Sequence, residues 1–247
     1  MDNMVNNINI LCIVQARLTS SRLPNKVLMP LGANQGTVLE HIAARLSMST
    51  LIDKIVFAIP DTQANDCLYD FLTTKNFSVY RGSENNVLKR YYECAKLYTP
   101  AIIVRATCDN PLMDWEHSDE AIKLLHEKSY DYVSMKGFPL GTASEVFTFS
   151  ALEQAFENAT ELNEQEHVTP YLYQHPKQFR IGVLHNKCDQ TDFCRLTVDT
   201  PEDYELMRII YDKLYQGKPI VNTKVMELFA AEPQLLLLNK DVEQKKI

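Results

Sequence analysis

The sequence predicts an α/β protein built on a mainly parallel β-sheet. Short apolar runs alternate with longer amphipathic stretches through the first half of the chain, which is the pattern of strands joined by helical crossovers. The chain has 247 residues, enough for one substantial α/β core. No proline-rich or low-complexity linker divides it. We therefore expect a single domain, residues 1–247, with a less regular insertion at about 135–195.

The apolar runs predict eight strands because each run is short and is bounded by turn-forming residues. The amphipathic stretches between them predict seven helices. The last stretch, residues 233–247, indicates a packed apolar segment with a solvated tail. The strands are expected at about 8–14, 54–59, 77–80, 101–106, 131–134, 145–149, 179–184 and 194–198. The helices are expected at about 37–48, 63–74, 86–97, 115–127, 150–158, 170–175 and 202–215.

The charge of the chain argues against two classes of partner. Its formal net charge is −7 at pH 7, whereas binding to nucleic acid or to an anionic membrane needs a broad basic face. No apolar run approaches the roughly 20 residues that span a bilayer. The first residues lack the basic start and long apolar core of a signal peptide. We therefore expect a soluble, cytoplasmic protein without nucleic-acid or membrane partners.

The cysteines favour reduced thiols over a disulfide framework or a zinc site. They are scattered, with no C-x-x-C pair and no histidine at zinc-ligand spacing. We expect most of them to be buried. They are Cys12, Cys67, Cys94, Cys108, Cys188 and Cys194.

The loop after the first predicted strand is the first candidate site, because ligands of open α/β sheets bind beyond the carboxyl ends of the strands. Arg17, Arg22 and Lys26 follow that strand, and no Asp or Glu occurs from Asn3 to Leu39. Arginine forks and a lysine charge suit phosphate oxygens. The hydroxyls of Ser20 and Ser21 and the loop amides could complete such a cradle. The ordinary alternative is three solvated surface cations.

Neither common glycine-rich phosphate motif is present in this loop. The sequence has no G-x-G-x-x-G and no G-x-x-x-x-G-K-[ST] after the first strand. A dinucleotide fold of the dehydrogenase type and a P-loop are therefore disfavoured.

Two further strand-to-helix junctions, at 105–114 and 197–203, each contain one aspartate that has no role in capping the following helix. Asp114 and Glu116 suit the N-cap and first turn of the helix predicted at about 115. Asp109 has no such role and ends an apolar strand.

The third junction repeats this pattern. Thr200, Pro201 and Asp203 suit the N-cap, N1 and N3 positions of a capping box. Asp199 has no role in this cap and lies at the end of a predicted strand. If the fold brings Asp109 and Asp199 together, their repulsion calls for a cation, and Mg²⁺ prefers one or two carboxylates plus substrate phosphates. The alternative is that each aspartate simply ends its strand, alone and solvated.

Several motifs in a fixed order resemble the cytidylyltransferases that make CMP-activated sugars. The resemblance is closest to the branch named after spore coat polysaccharide biosynthesis protein F, and it covers about residues 8–215. The motifs are VQARLTSSRLPNKVLMPL (14–31), YRGSENNVLKRYYECA (80–95), IIVRATCDNPLMD (102–114), EVFTFSALE (145–153), EHVTPYL (166–172) and RLTVDTPEDYEL (195–206).

The resemblance implies a Rossmann-like three-layer sandwich of the nucleotide-diphospho-sugar transferase type. It also implies Mg²⁺-dependent transfer of CMP from CTP to an acidic sugar or a related surface-polysaccharide precursor, with release of pyrophosphate. Homodimerisation through the insertion near the acceptor site is expected as well.

The same resemblance implies residue roles. The catalytic residues are expected to be Arg17, Lys26, Asp109 and Asp199, with the two aspartates as metal ligands. The acceptor is expected to contact Glu145, Glu166, His167 and Arg195. The nucleotide is expected to contact Gln15, Ala16, Arg17, Ser20, Ser21, Arg22, Lys26, Gly82, Ser83, Arg90, Arg105 and Thr107.

Some positions depart from the family pattern and leave alternatives open. Cys108, Thr19 and Asn25 stand where glycine is common, and a β-branched residue such as threonine does not readily adopt a positive φ. Residues 142–144 lack the carboxylate that the branch often has there. The alternatives are the same chemistry on a phosphonate or phosphorylated small molecule, or a non-catalytic nucleotide-binding homologue.

Overall fold

The structure, a computed structural model, describes residues 9–33, 36–187 and 194–244. Seven strands form one sheet in the order β3-β2-β1-β4-β6-β5-β7. All neighbours are parallel except β6, which is antiparallel to both β4 and β5. The strands are β1 (Ile10–Gln15), β2 (Lys54–Pro60), β3 (Ser78–Gly82), β4 (Ile102–Thr107), β5 (Tyr132–Lys136), β6 (Glu145–Thr148) and β7 (Ile181–His185).

Helices follow most of the strands, as the alternating pattern predicts. Short 3₁₀ helices at Lys26–Leu28, Gln63–Asn65 and Pro233–Leu237 lie in the connections. The α-helices are α1 (Val38–Leu46), α2 (Asp66–Thr74), α3 (Val87–Tyr98), α4 (Trp115–Lys128), α5 (Phe149–Asn158), α6 (Leu162–His167), α7 (Pro170–Gln174), α8 (Pro201–Leu214) and α9 (Asn222–Ala231).

The apolar side chains lie in three clusters. On one face of the sheet, alternate strand residues such as Cys12 and Val104 pack against α1, α2 and α4. On the other face, Ile13 and Ile103 pack against α3, α5 and α7. A third cluster joins α8 and α9 to the chain at 194–198. The two covered faces explain why the central strands are almost continuously apolar.

Two parts of the local prediction differ from the structure. The predicted strand at 194–198 is extended and buried, but it makes only an isolated bridge between Leu140 and Arg195. It is not a strand of the sheet because its backbone hydrogen bonds go to Leu140 and to Asp109 in the loop after β4. Helices α6 and α9 were not predicted, because 162–167 is too short and 222–231 too weakly patterned to stand out.

The predicted helix starts next to the two candidate aspartates are confirmed. The Asp114 carboxylate accepts the His117 amide at 3.0 Å. Thr200 and Asp203 form a capping box at the start of α8, with Pro201 at N1. Asp109 and Asp199 therefore precede two well-capped helices without being used as caps.

The prediction of free, mostly buried thiols is confirmed for the described cysteines. Cys12, Cys94, Cys108 and Cys194 are buried and free, whereas Cys67 is exposed. Cys188 lies outside the described residues.

Gly141 fixes the extended segment at 194–198. Its φ is +94°, and a Cβ at this position would lie 2.5 Å from the Leu196 carbonyl oxygen. This close approach accompanies the hydrogen bonds from the Leu140 amide to Cys194 and from the Leu196 amide to Leu140, at 2.9 and 2.7 Å. The position of Asp199, three residues beyond Leu196, depends on this contact.

We predict that Gly141→Ala lowers the free energy of unfolding by about 3 kcal/mol or more, because backbone strain and a steric clash add. Gly217→Ala is the matched control: its φ is +79°, but nothing lies within 4 Å of the added Cβ. That variant should cost about 1 kcal/mol. Urea unfolding measures both values, and equal losses in the two variants would contradict the account of Gly141.

Candidate functional site

The candidate site lies where β1 and β4 end side by side. Gln15 and Thr107 are register partners at the carboxyl ends of these parallel strands. The Cys108 amide donates to the Gln15 carbonyl at 2.9 Å, so the loops that follow the two strands start from adjoining points. The basic loop and Asp109 therefore emerge on the same edge of the sheet.

Lys26 bridges the two candidate aspartates. Its Nζ lies 2.8 Å from Asp109 Oδ2 and 2.7 Å from Asp199 Oδ1, and the residue is only 7% exposed. Burial opposes the charge of Lys26, but the two carboxylates outweigh it and raise its pKa. The fold thus brings Asp109 and Asp199 together around one cation, so the alternative of two solitary, solvated strand ends does not hold.

The 3₁₀ helix that carries Lys26 starts from a left-handed residue. Asn25 has φ 58°, whereas Thr19 is not among the residues with positive φ. Asparagine tolerates this conformation far better than threonine does. The glycine-to-threonine departure at position 19 is therefore accommodated without backbone strain.

Asp199 is surrounded by cations. Arg22 Nη2 and Arg195 Nη2 lie 3.0 and 2.8 Å from its Oδ2, opposite the contact with Lys26. Burial alone would raise the pKa of Asp199, but Lys26, Arg22 and Arg195 together lower it. The carboxylate is held ionised, and part of the cationic loop is folded back onto it.

All three guanidinium nitrogens of Arg195 have hydrogen-bond partners within the protein, which leaves none of them free for the predicted contact with the acceptor. Its Nε and Nη2 donate to Asp203 at 2.8 and 3.0 Å, and Nη1 donates to Gln244. With Nη2 also on Asp199, the guanidinium has no free edge. This geometry favours a role in holding Asp199 against the start of α8, and direct contact with the acceptor stays a prediction.

Two hydrogen bonds fix Asp109 from the other side. Its backbone carbonyl accepts the Val198 amide at 2.8 Å and the Thr197 hydroxyl at 3.3 Å. The segment that ends at Asp199 is thereby tied to the loop that carries Asp109. The sheet edge and this segment together set the spacing of the two carboxylates.

The remaining residues of the basic loop are more open. Arg17 and Ser21 are exposed, and Ser20 is half-buried. The Ala16 amide donates to Ala58 on β2 at 3.3 Å, and the Leu18 amide donates to Asn65 Oδ1 at 2.9 Å. Asn65 is fully buried and was missed from the sequence because a single asparagine after an apolar strand looks like ordinary turn chemistry.

The predicted contacts at 82–90 form a second wall near Arg17. Arg90 is buried, donates from Nη1 to the Ser83 carbonyl and packs against Gly82. Burial and the nearby Arg17 lower its pKa. Arg90 therefore holds the Gly82–Ser83 segment in place beside the loop.

Arg105 and Glu145 were assigned from sequence to different ligands, but they form one ion pair. They are register partners on β4 and β6, and Arg105 Nη1 lies 2.5 Å from Glu145 Oε2. Glu145 Oε1 also accepts hydrogen bonds from Tyr132 at 2.5 Å and Thr169 at 2.8 Å. Tyr132 and Thr169 were missed because only the tertiary fold brings them to Glu145.

Glu166 and His167 lie at the end of α6, beside that pair. Glu166 is exposed, and His167 is half-buried. Burial lowers the pKa of His167, and both Arg105 and Glu145 are close enough to affect it. Glu145 and His167 are therefore neighbours, Glu166 is the exposed residue that precedes His167, and Arg195 belongs to the aspartate cluster.

The other departures from the family pattern occupy buried positions with ordinary packing or hydrogen bonds. The Cys108 side chain is buried in the apolar cluster that packs on α1, α2 and α4, on the face of the sheet opposite to Ile13 and Ile103. The hydroxyls of Thr142 and Ser144 bond to Pro139 and to Ser118. Thr107 accepts from the Asn110 side chain at 2.8 Å.

Comparison with known proteins gives consistent matches. A family model described as cytidylyltransferase matches residues 11–246. An uncharacterized protein of Methanocaldococcus jannaschii is 38% identical over 240 residues, covering 96% of both chains. Spore coat polysaccharide biosynthesis protein SpsF of Bacillus subtilis is 34% identical over 231 residues, covering 91% of this chain and 95% of the relative.

A solved structure extends these matches to the fold. The cytidylyltransferase of Leptospira borgpetersenii is 27% identical and superposes with a TM-score of 0.86, covering 97% of this chain and 100% of that one. The predicted Rossmann-like α/β fold with a mainly parallel sheet is thereby confirmed. Within the described ranges, no helix has the length and apolar character needed to cross a bilayer.

We predict that Asp199→Asn weakens the acid sensitivity of the fold. The pKa of Asp199 is below its ordinary value of 3.8, so its ion pairs stabilise the protein fully above that value. That stabilisation is lost as the pH falls through the lower pKa of the folded state, because the unfolded chain binds the proton more readily. The free energy of unfolding, measured with urea, should fall less between pH 7 and pH 3 in the variant than in the wild type. If it falls by the same amount in both proteins, the assignment of the Asp199 ion pairs is contradicted.

Proposed function

We propose that this chain, which belongs to the cytidylyltransferase family, transfers CMP from CTP to a small-molecule acceptor with the help of Mg²⁺ and releases pyrophosphate. Membership makes it an enzyme of that class. The observation that carries the proposal is the bridge from Lys26 to Asp109 and Asp199, which joins the basic loop to a carboxylate pair at the edge of the sheet.

The carboxylate pair suits a divalent metal ion. Both oxygens lie within hydrogen-bond distance of a single ammonium nitrogen, so a cation already occupies the point between them. Among the described residues, no three His, Cys, Asp or Glu side chains form a closed metal cage. Two carboxylates together with water and phosphate oxygens are the donor set that Mg²⁺ prefers. We propose Asp109 and Asp199 as its protein ligands.

When bound there, Mg²⁺ would supply positive charge to the α-phosphate and lower the pKa of the attacking acceptor hydroxyl. The chain itself supplies the remaining charge and the positions. Arg17, Arg22 and Lys26 offer donors to the triphosphate, with Ser20 and Ser21 alongside. For Lys26 and Arg22 this means exchanging carboxylate partners for phosphate partners. Catalysis then rests on orientation and charge neutralisation rather than on a covalent intermediate.

The base and the acceptor bind, in this proposal, on either side of the reacting phosphate. Gln15, Ala16, Gly82, Ser83, Arg90 and Thr107 are the proposed nucleoside neighbours. The acceptor is proposed to be an acidic sugar or a related surface-polysaccharide precursor, next to Glu145, Glu166 and His167. The relative from Bacillus subtilis is named for spore coat polysaccharide biosynthesis, which supports that class. A phosphonate or phosphorylated small molecule is the competing acceptor.

A cytoplasmic location and a homodimer are part of the same proposal. Three large apolar side chains are exposed in the segment expected to mediate dimerisation: Leu140, Leu162 and Tyr173 are 40%, 83% and 39% exposed.

Pyrophosphate release from CTP tests the proposed reaction, using a panel of acidic, phosphorylated and neutral sugars with and without Mg²⁺. We predict turnover only when acceptor and Mg²⁺ are both present. Asp109→Asn and Asp199→Asn should each lower kcat by about a hundredfold or more, because each removes a metal ligand. Asp70→Asn, which changes an exposed carboxylate on α2, is the control. Wild-type turnover in both site variants would refute the metal assignment.

Binding of Mn²⁺, followed by electron paramagnetic resonance, tests the cation between the carboxylates without turnover. Lys26→Met should raise the affinity for Mn²⁺ in the absence of nucleotide by about tenfold, because the ion no longer displaces an ammonium group. The same variant should bind CTP more weakly. Lys224→Met is the matched control, since Lys224 pairs with Glu227 at 2.6 Å on an exposed face of α9. Unchanged Mn²⁺ affinity in Lys26→Met would contradict this reading of the site.

A further inference from the structure

We propose that Arg105 binds a carboxylate group of the acceptor and that Glu145, Tyr132 and Thr169 position its guanidinium. The inference rests on the proposed function and specifies its acceptor. It moves Arg105 from the nucleotide contacts, where the sequence resemblance puts it, to the acceptor. It also changes Glu145 from a direct contact with the acceptor to a positioning residue.

Protein donors occupy three of the roughly four acceptor sites of the Glu145 carboxylate. Its two oxygens accept from Arg105 at 2.5 Å, Tyr132 at 2.5 Å and Thr169 at 2.8 Å. These donors come from β4, from β5 and from the turn before α7. A carboxylate held from three elements has little capacity left for the hydroxyl of a ligand. Its position instead fixes one end of the Arg105 guanidinium.

Arg105 has unused capacity. Only its Nη1 has a hydrogen-bond partner among the described residues, and its Nε is buried without one. The side chain is 15% exposed, so part of it reaches the surface of the site. A buried guanidinium nitrogen without a partner is rare and calls for an explanation. Because Nη1 is bonded to Glu145 and Nε is closed to solvent, Nη2 is the guanidinium nitrogen left to donate a charge-assisted hydrogen bond to a ligand carboxylate.

The backbone next to this cluster is strained. Val168 has φ 72° and ψ −53°, and the Thr169 amide donates to the His167 carbonyl at 2.9 Å. Together these describe a γ-turn of the rare type, at a β-branched residue that is fully buried. Such strain persists only where the surrounding structure enforces it, and it is concentrated at functional sites. Here it brings the Thr169 hydroxyl to Glu145 and leaves His167 beside Arg105.

The cluster lies on the strand that leads to the proposed metal ligand. Arg105 and Thr107 are alternate residues of β4 and so point to the same face, and Asp109 follows two residues later. Four residues of strand span at most about 13 Å. An acceptor of monosaccharide size, held at one end by Arg105, can therefore present a hydroxyl near Asp109.

The charge of the cluster favours a single negative charge over two. Glu145 neutralises Arg105 formally, and burial lowers the pKa of the neighbouring His167, which disfavours its positive form. A phosphate dianion would bring two charges into a site with little net charge to offset them. A carboxylate brings one, and one of its oxygens can accept from Nη2. This separates the carboxylate-bearing acceptor from the phosphorylated alternative.

Calorimetric binding to the protein loaded with Mg²⁺ and an α,β-methylene analogue of CTP tests the inference. The probes are 3-deoxy-manno-octulosonate and N-acetylneuraminate, each compared with its carboxamide, and N-acetylglucosamine 1-phosphate as the phosphate arm. We predict that the wild type binds at least one acid about tenfold or more tighter than its amide. In Arg105→Met this ratio should fall to about one, while the affinity for the CTP analogue stays within about twofold.

Three further variants separate recognition from folding. Arg105→Lys should restore part of the acid preference because it keeps the charge but loses the fork. Thr169→Val, which removes one hydrogen bond to Glu145 without changing any charge, should lower the acid-to-amide ratio in a protein that still binds the CTP analogue. Arg208→Met is the matched control, since Arg208 pairs with Glu205 at 2.7 Å on an exposed face of α8, and it should keep the wild-type ratio.

The inference is overturned if Arg105→Met keeps the acid preference, or if the wild type binds no acid more tightly than its amide. It is also overturned if the wild type binds the sugar phosphate more tightly than either acid. Loss of CTP-analogue affinity in Arg105→Met, with the ratio intact, would return Arg105 to the nucleotide. In each of these cases wild-type CTP binding and the effects of the two aspartate variants remain, so failure here is distinct from failure of the proposed reaction.

Discussion

Lys26 lies between the carboxylates of Asp109 and Asp199, and the rest of the site is arranged around that contact. Two buried or half-buried carboxylates repel each other unless a cation separates them. Arg22 and Arg195 add to the neutralisation from the far side of Asp199. The basic loop and the acidic pair therefore stabilise each other. In the proposed reaction the same charges would be available to a triphosphate and a metal ion.

The scaffold makes this contact possible by joining three remote pieces of chain. The last residues of β1 and β4 are register partners, so the basic loop and the loop that carries Asp109 begin at the same edge of the sheet. The segment at 194–198 then ties Asp199 to Asp109 through hydrogen bonds to the Asp109 carbonyl. Gly141 allows that segment to come close, because any side chain there would meet the Leu196 carbonyl. Binding sites at a sheet edge owe their geometry to such loop contacts as much as to the strands.

A second ionic cluster, Arg105 with Glu145, differs from the first in how it is satisfied. In the Lys26 cluster each charge meets an opposite charge, whereas Arg105 keeps a nitrogen without a partner among the described residues, next to a carboxylate that accepts three hydrogen bonds. The strained turn at Val168 lies against this second cluster. The two clusters thus differ in that one is organised by charge pairing and the other keeps a guanidinium nitrogen without a partner among the described residues.

The residues alone predicted the order of strands and helices through the first half of the chain, the capped starts of α4 and α8, and the absence of a capping role for Asp109 and Asp199. These features depend on residues close together in the chain, where propensity and capping act. The sequence did not show that residues 194–198 lie outside the sheet or that Arg105 pairs with Glu145. It also did not show that Tyr132 and Thr169 donate hydrogen bonds to Glu145. Nor did it show that Lys26 is the cation between two aspartates that lie 83 and 173 residues away. Those partners are chosen by packing and register over long separations, which local patterns do not encode.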